Sequence, residues 1–123
     1  KLPQSDSKSK YKAKKTIING IEFDSKLEAQ YYQHLLTVYR PEDIKIQVTF
    51  EIFPKFRDSK GKAIRCINYI ADFVIDNQIV IDVKGSPKII TQDAKIKHKL
   101  FKHKYPEFTF TIVYRKAGKW VQI

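Results

Sequence analysis

The sequence predicts a mixed α/β fold: one central β-sheet flanked by helices, in the order helix, three strands, helix, strand. Three features carry this expectation. One stretch, Ile44–Phe53, alternates apolar and polar residues. Two apolar runs, residues 70–75 and Ile79–Lys84, follow each other across a short turn. Two amphipathic segments bracket these strands. A chain of 123 residues supports one core but not two ordinary domains. We therefore expect a flexible basic arm over residues 1–15 and a single domain over 16–123.

Each element has a local reason. Residues 16–23 contain Asn19-Gly20, a pair favoured in two-residue hairpin loops, so a small hairpin starts the domain. Asp24-Ser25 opens a helix expected to reach Tyr39, with Pro41 as its stop. Ile44, Ile46, Val48, Phe50 and Ile52 then define a strand with one buried face, ended by Pro54. Residues 58–62 read as a loop and 64–75 as the next strand. The Asp82 strand follows, and Gly85-Ser86-Pro87 interrupts the chain. Residues 91–105 form a second helix ended by Pro106, residues 108–114 a strand, and residues 120–123 a short last one. No internal repeat is visible.

Charge narrows the partners. The net charge is +11, with 24 Lys and Arg against 13 Asp and Glu. A domain this small and basic usually meets a polyanion, most often nucleic acid. Only Arg40, Arg57, Arg65 and Arg115 are arginines, so lysine dominates, which favours diffuse phosphate contact over bidentate reading of guanine edges. Simple solubility is the plainer account, but it rarely needs so lopsided a charge. No apolar run approaches the roughly 18 residues of a membrane span. The N-terminus is polar and lysine-rich, unlike a signal peptide. With no Met in the chain, the natural initiator is expected to lie outside it. The single Cys66 excludes a disulfide framework, fits a reducing cytosol and reads as a core residue.

Asp72 and Asp82 each interrupt an apolar strand. If Asp76-Asn77-Gln78 is a three-residue hairpin loop, Ile75 pairs with Ile79 and Asp72 falls opposite Asp82, on one face. Alternation adds Lys84 to that face. Two facing carboxylates repel, and a divalent cation between them is the simplest remedy. Glu28 is a third candidate acid, near the middle of the apolar arc of the first helix, where an unpartnered carboxylate is costly. Ser25 to Glu28 is also a capping box, and the two roles can coexist in part. Lys84 has a plain reading as a strand-end charge reaching for water. Its functional reading is an ammonium that helps a water attack and stabilises charge on a phosphate.

The second helix carries Lys95, Lys97, Lys99, Lys102 and Lys104, of which Lys95, Lys99 and Lys102 form one ridge. Together with Lys14, Lys15 and Lys88 these residues (Lys104 excepted) are the expected phosphate contacts. His98 and His103, five apart, are poorly spaced for joint metal binding and read as surface residues. Scattered glycines exclude a phosphate-binding loop, and Ser86 before Pro87 lacks a nucleophile-elbow context.

A helix glutamate, an aspartate, then Asp-x-Lys on the next strand resembles the PD-(D/E)XK nuclease superfamily. Within it, Phe23-Asp24-Ser25-Lys26-Leu27-Glu28-Ala29, Tyr69-Ile70-Ala71-Asp72-Phe73 and Asp82-Val83-Lys84-Gly85 are similar to a family of small phage-encoded endonucleases, some likened to Holliday junction resolvases. The resemblance covers residues 10–114, and Ala71 stands where the superfamily name has proline. It implies a restriction-endonuclease-like fold (an αβββαβ core) and a Mg²⁺- or Mn²⁺-dependent endonuclease hydrolysing DNA phosphodiester bonds. Branched DNA is the implied substrate, a homodimer the implied assembly, and the cytoplasm of a bacterial host carrying a phage or prophage the implied location. Asp72, Asp82, the Val83 carbonyl and Glu28 would hold the metal, and Lys84 would assist the attacking water. Gln47, on the outer face of the intervening strand, is a further neighbour. A DNA-binding protein of the same fold that cuts nothing is the main alternative. An RNA-binding module, a third, would need exposed stacking aromatics, whereas most aromatics here fall on core faces.

Overall fold

The computed structural model describes residues 15–123, so the expected arm, with its Lys14, lies outside the described residues except for Lys15. The chain divides into two compact units, the first ending at Val38 and the second comprising Tyr39–Ile123.

In the first unit, Asn19 and Gly20 both take positive φ, 52° and 79°, and close a two-residue hairpin between β1 (Thr16–Ile18) and β2 (Ile21–Phe23). Only Gly adopts this conformation without strain, and Asn tolerates it, which is why this dipeptide makes the turn. Helix α1 (Lys26–Leu35) starts at Ser25, whose Oγ accepts from the Glu28 N–H at 3.1 Å. It buries Ala29, Tyr31, Tyr32 and Leu35, with Tyr32 packed on Phe23 at a ring distance of 5.2 Å. The helix ends four residues before the expected Tyr39. Thr37 N–H donates to the His34 carbonyl and Val38 N–H to that of Leu35, tight turns that close the last carbonyls. Val38 is consequently 64% exposed, where a longer helix would have placed it on the buried arc.

The second unit is a five-stranded mixed sheet in the order β3-β6-β7-β8-β9, with one helix. Strands β3 (Ile44–Phe53), β6 (Ile67–Ile75) and β7 (Ile79–Lys84) form an antiparallel meander. Strand β8 (Thr109–Lys116) lies parallel to β7, and β9 (Lys119–Gln122) returns antiparallel beside β8. A parallel neighbour requires a crossover, and helix α2 (Gln92–Lys104) supplies it. The expected strand over 64–75 is broken: β4 (Phe56–Arg57) pairs with β5 (Ala63–Ile64) in a separate small hairpin before β6 begins.

Helix α2 packs on β3 and β6. Phe101, fully buried, sits among Phe50, Tyr69, Tyr105, Phe108 and Phe110, with ring centroids 4.9–5.9 Å away. Ile52, Ala71, Val74 and Val80 complete this layer. Ala71 and Val74 share it although simple alternation would put them on opposite faces. The switch falls at Gln47, which takes φ 54° within β3, and at Asp72, its opposite number in register. Ile46 pairs with Phe73 and Val48 with Ala71, while the Gln47–Asp72 step between them is skipped. Asp72 therefore stands at a kink, not in a regular strand.

Candidate functional site

Three residues, Asp76-Asn77-Gln78, connect β6 to β7, and Ile75 pairs with Ile79 as the sequence predicts. The ladder continues to Phe73–Ile81 and stops. One step further, Asp72 Oδ2 accepts the Val83 N–H at 2.7 Å. The carboxylate thus intercepts a backbone donor that regular pairing would give to Ala71, and this side-chain bond holds Asp72 against β7.

Asp82 is 4% exposed, on a strand whose central residues are all buried. Its Oδ2 lies 3.4 Å from Lys84 Nζ and 2.8 Å from His98 Nε2. Lys84, two residues along the same strand, is on the same face; its side chain is only 26% exposed and turns onto the acid, not out to water. Burial pushes the Asp82 carboxyl up, but hydrogen bonds from His98 and Asp72, with the charges of Lys84 and His98, outweigh it and hold Asp82 below the usual carboxylate range. An ionised carboxylate only accepts, so His98 Nε2 carries the hydrogen of their bond.

His98 is a correction. It is 5% exposed, not a surface residue, and packs against Phe110 and Tyr69 at ring distances of 4.7 and 5.6 Å. The signal is present in the sequence: Ala94, His98, Phe101 and Tyr105 lie at i, i+4, i+7 and i+11, within an arc of about 60° on a helix. Ile96 falls opposite and is 51% exposed. A histidine standing in the apolar stripe of a helix is a buried histidine.

Tyr69 is a second residue that sequence reasoning does not single out. Its hydroxyl is buried near the Asp82 carboxylate and meets no strict hydrogen-bond criterion among the described residues. Burial, then the charges of Asp82 and Asp72, push the phenol far up, so it stays protonated. Cys66, expected in the core, is half-buried in the loop before β6, with Sγ 3.7 Å from Asn68 Oδ1.

The structure thus brings Asp72, Val83, Asp82 and Lys84 together in the second unit and adds His98 and Tyr69. Glu28 belongs to the first unit, in the first turn of α1. Lys95, Lys97, Lys99 and Lys102 are exposed along α2, the Lys102 ammonium lying 5.2 Å over the Phe110 ring. Lys88 is exposed in the short turn Pro87–Ile89, and Lys15 pairs with Glu22 at 4.0 Å on the surface. Among the described residues, no helix is long and apolar enough to cross a membrane.

Fold and site define a mixed α/β protein in which Asp82 and Lys84 of the central strand meet His98 of the crossover helix. The chain belongs to DUF1064, a family of proteins of unknown function, whose model matches residues 8–121. No curated protein and no solved structure matches it.

Proposed function

We propose that this protein is a metal-dependent DNA endonuclease on a restriction-endonuclease-like fold, acting on branched DNA in the cytoplasm of a bacterial host. The observation that carries this reading is the gathering of Asp72, held to the Val83 N–H at 2.7 Å, with Asp82 and Lys84, whose Nζ lies 3.4 Å from the Asp82 carboxylate, on a chain of net charge +11.

The donor chemistry suits a hard divalent cation. Two neighbouring carboxylates repel each other, and a cation between them would relieve that repulsion. Among the described residues, no three His, Cys, Asp or Glu side chains gather as a metal site. Asp72 and Asp82 would therefore share the ion with the Val83 carbonyl and solvent, a ligand set Mg²⁺ accepts. When bound, Mg²⁺ or Mn²⁺ supplies Lewis acidity and a water of lowered pKa. The chain's own residues do the rest. Lys84 sets a positive charge where a phosphate gains negative charge. His98 fixes the orientation of Asp82 and keeps it ionised. Tyr69, protonated and buried beside Asp82, offers a donor to an oxygen that reaches the acids. The lysines of α2 hold phosphates on either side of the break.

A DNA-binding protein that cuts nothing is favoured by one observation: Asp82 Oδ2 is already engaged by both His98 and Lys84. Cleavage decides between them. The purified protein is expected to cut at least one of linear, flapped, forked and four-way DNAs with Mg²⁺ or Mn²⁺, and to stop on adding EDTA. Binding without cleavage of any of these DNAs leaves the non-catalytic reading standing. Lys95→Glu with Lys99→Glu is expected to weaken binding to every sequence alike. It should also flatten the plot of log affinity against log salt by about 2, near 0.9 for each phosphate that is no longer neutralised. A sequence-selective effect would remove these two residues from the phosphate-binding surface.

A further inference from the structure

Between β3 and β6 the chain leaves the sheet to build the β4–β5 hairpin, which the site does not use. Lys55, Arg57, Lys60, Lys62 and Arg65 are all exposed there, against one acid, Asp58. Among the described residues none of the five makes an ion pair. Asp58 is committed internally: its Oδ1 accepts from the Lys60 and Lys62 N–H groups at 2.9 Å each. Arg57 braces the loop by donating to the Gly61 carbonyl at 2.8 Å. The tip is thus ordered, with its cations exposed.

Beside these charges lie two exposed phenyl rings. Phe53 and Phe56 are 41% and 46% exposed and meet edge to face at 5.8 Å. Phe56 and Ile64 share a recess with Lys55, Arg57 and Arg65. Solubility explains cations but not bare phenyls among them. A nucleic acid strand matches both, with phosphates for the ammonium and guanidinium groups and base faces for the rings. The hairpin also stands in a useful place. Ile67, where β6 starts, precedes Asp72 by five residues, or about 17 Å of strand. A DNA strand covers that distance in roughly five nucleotides.

We infer that the β4–β5 hairpin is a DNA-binding arm that grips phosphates to one side of the cleavage position, the start of β6 at its base lying about five nucleotides away, and stacks Phe56 on an unpaired base. It rests on the nuclease reading only for DNA as the substrate and for the cut position. It supplies a reason for preferring forked over fully paired DNA: only an unstacked base can cover the ring.

The test uses the full chain, a forked DNA carrying 2-aminopurine at an unpaired base, the matching linear duplex, and a single-stranded RNA of the same sequence. Wild type is expected to bind the fork more tightly than the duplex and to quench the 2-aminopurine. Phe56→Ala should lose the quench and weaken fork binding by about 5- to 100-fold, leaving duplex binding within twofold. Lys60→Glu with Lys62→Glu should weaken binding to both DNAs at least about tenfold at 0.1 M salt. Unquenched 2-aminopurine with wild type, or unchanged binding by the charge variant, overturns the arm. Tighter binding of RNA than of either DNA overturns the choice of DNA. If the arm variants lose DNA binding but wild type cuts nothing with either metal, the arm stands and the nuclease reading falls. If they bind normally while wild type cuts, only the arm falls.

Discussion

Asp82→Asn is expected to lower DNA cleavage by at least about a thousandfold while leaving DNA binding at low salt intact. Asparagine has the shape of aspartate and still accepts the His98 hydrogen bond, so the local packing survives. What disappears is the negative charge on a residue only 4% exposed. A neutral amide holds a divalent cation far more weakly than a carboxylate. Binding should not suffer, because the change makes an already basic protein more positive and phosphate attraction is the main sequence-independent term. Calorimetric titration with Mn²⁺ would locate the defect: affinity should fall in step with cleavage. Cleavage that persists in this variant removes Asp82 from the chemistry.

The second large effect is on stability. In His98→Ala, the Asp82 carboxylate, with a side-chain exposure of 6%, loses its closest partner. Removing one member of a buried pair commonly costs about 3–5 kcal/mol, because the other charge remains desolvated. Lys84 at 3.4 Å and the bond from Asp72 still face Asp82, so the lower end, about 3 kcal/mol, is expected. For a chain of this size that is a fall in melting temperature of roughly 10 °C. His98→Gln keeps an N–H donor at similar reach and should recover part of both stability and cleavage. Asp82 is held below its ordinary pKa, so its contribution is complete above about pH 4 and is lost as pH falls through the folded value. The gap between wild type and His98→Ala should therefore narrow in acid. Equal melting curves at pH 7 would mean that the pair contributes nothing.

The long strands and both helices are legible in the sequence because each repeats one pattern over many residues. The hairpin register is legible as far as Phe73 opposite Ile81: a three-residue loop fixes Ile75 opposite Ile79, and counting holds until the ladder stops one step short of Asp72 and Asp82. What escapes is local. Helix α1 stops at Leu35 because its last turn tightens, which no apolar pattern announces. The β4–β5 hairpin, two residues on each side, is too short to show alternation. The kink at Gln47 and Asp72 is invisible because neither residue type demands a positive φ or a skipped pair. His98 is legible from the helix face it occupies, whereas its spacing from His103 points the wrong way, to the surface.

The sequence alone determined that acids interrupt two neighbouring strands, that a lysine follows the second at a two-residue interval, and that the surface is strongly basic. These depend on residue order and on the period of a strand, which hold in any context. Only the tertiary structure decided what the acids meet. A helix further along delivers His98, sixteen residues on, to Asp82, and the kinked strand aims Asp72 at the Val83 N–H. It also decided that Phe53 and Phe56 stay in solvent beside five cations. Such meetings join residues distant in sequence, and their energies come from burial and hydrogen-bond geometry, which exist only once the layers have packed.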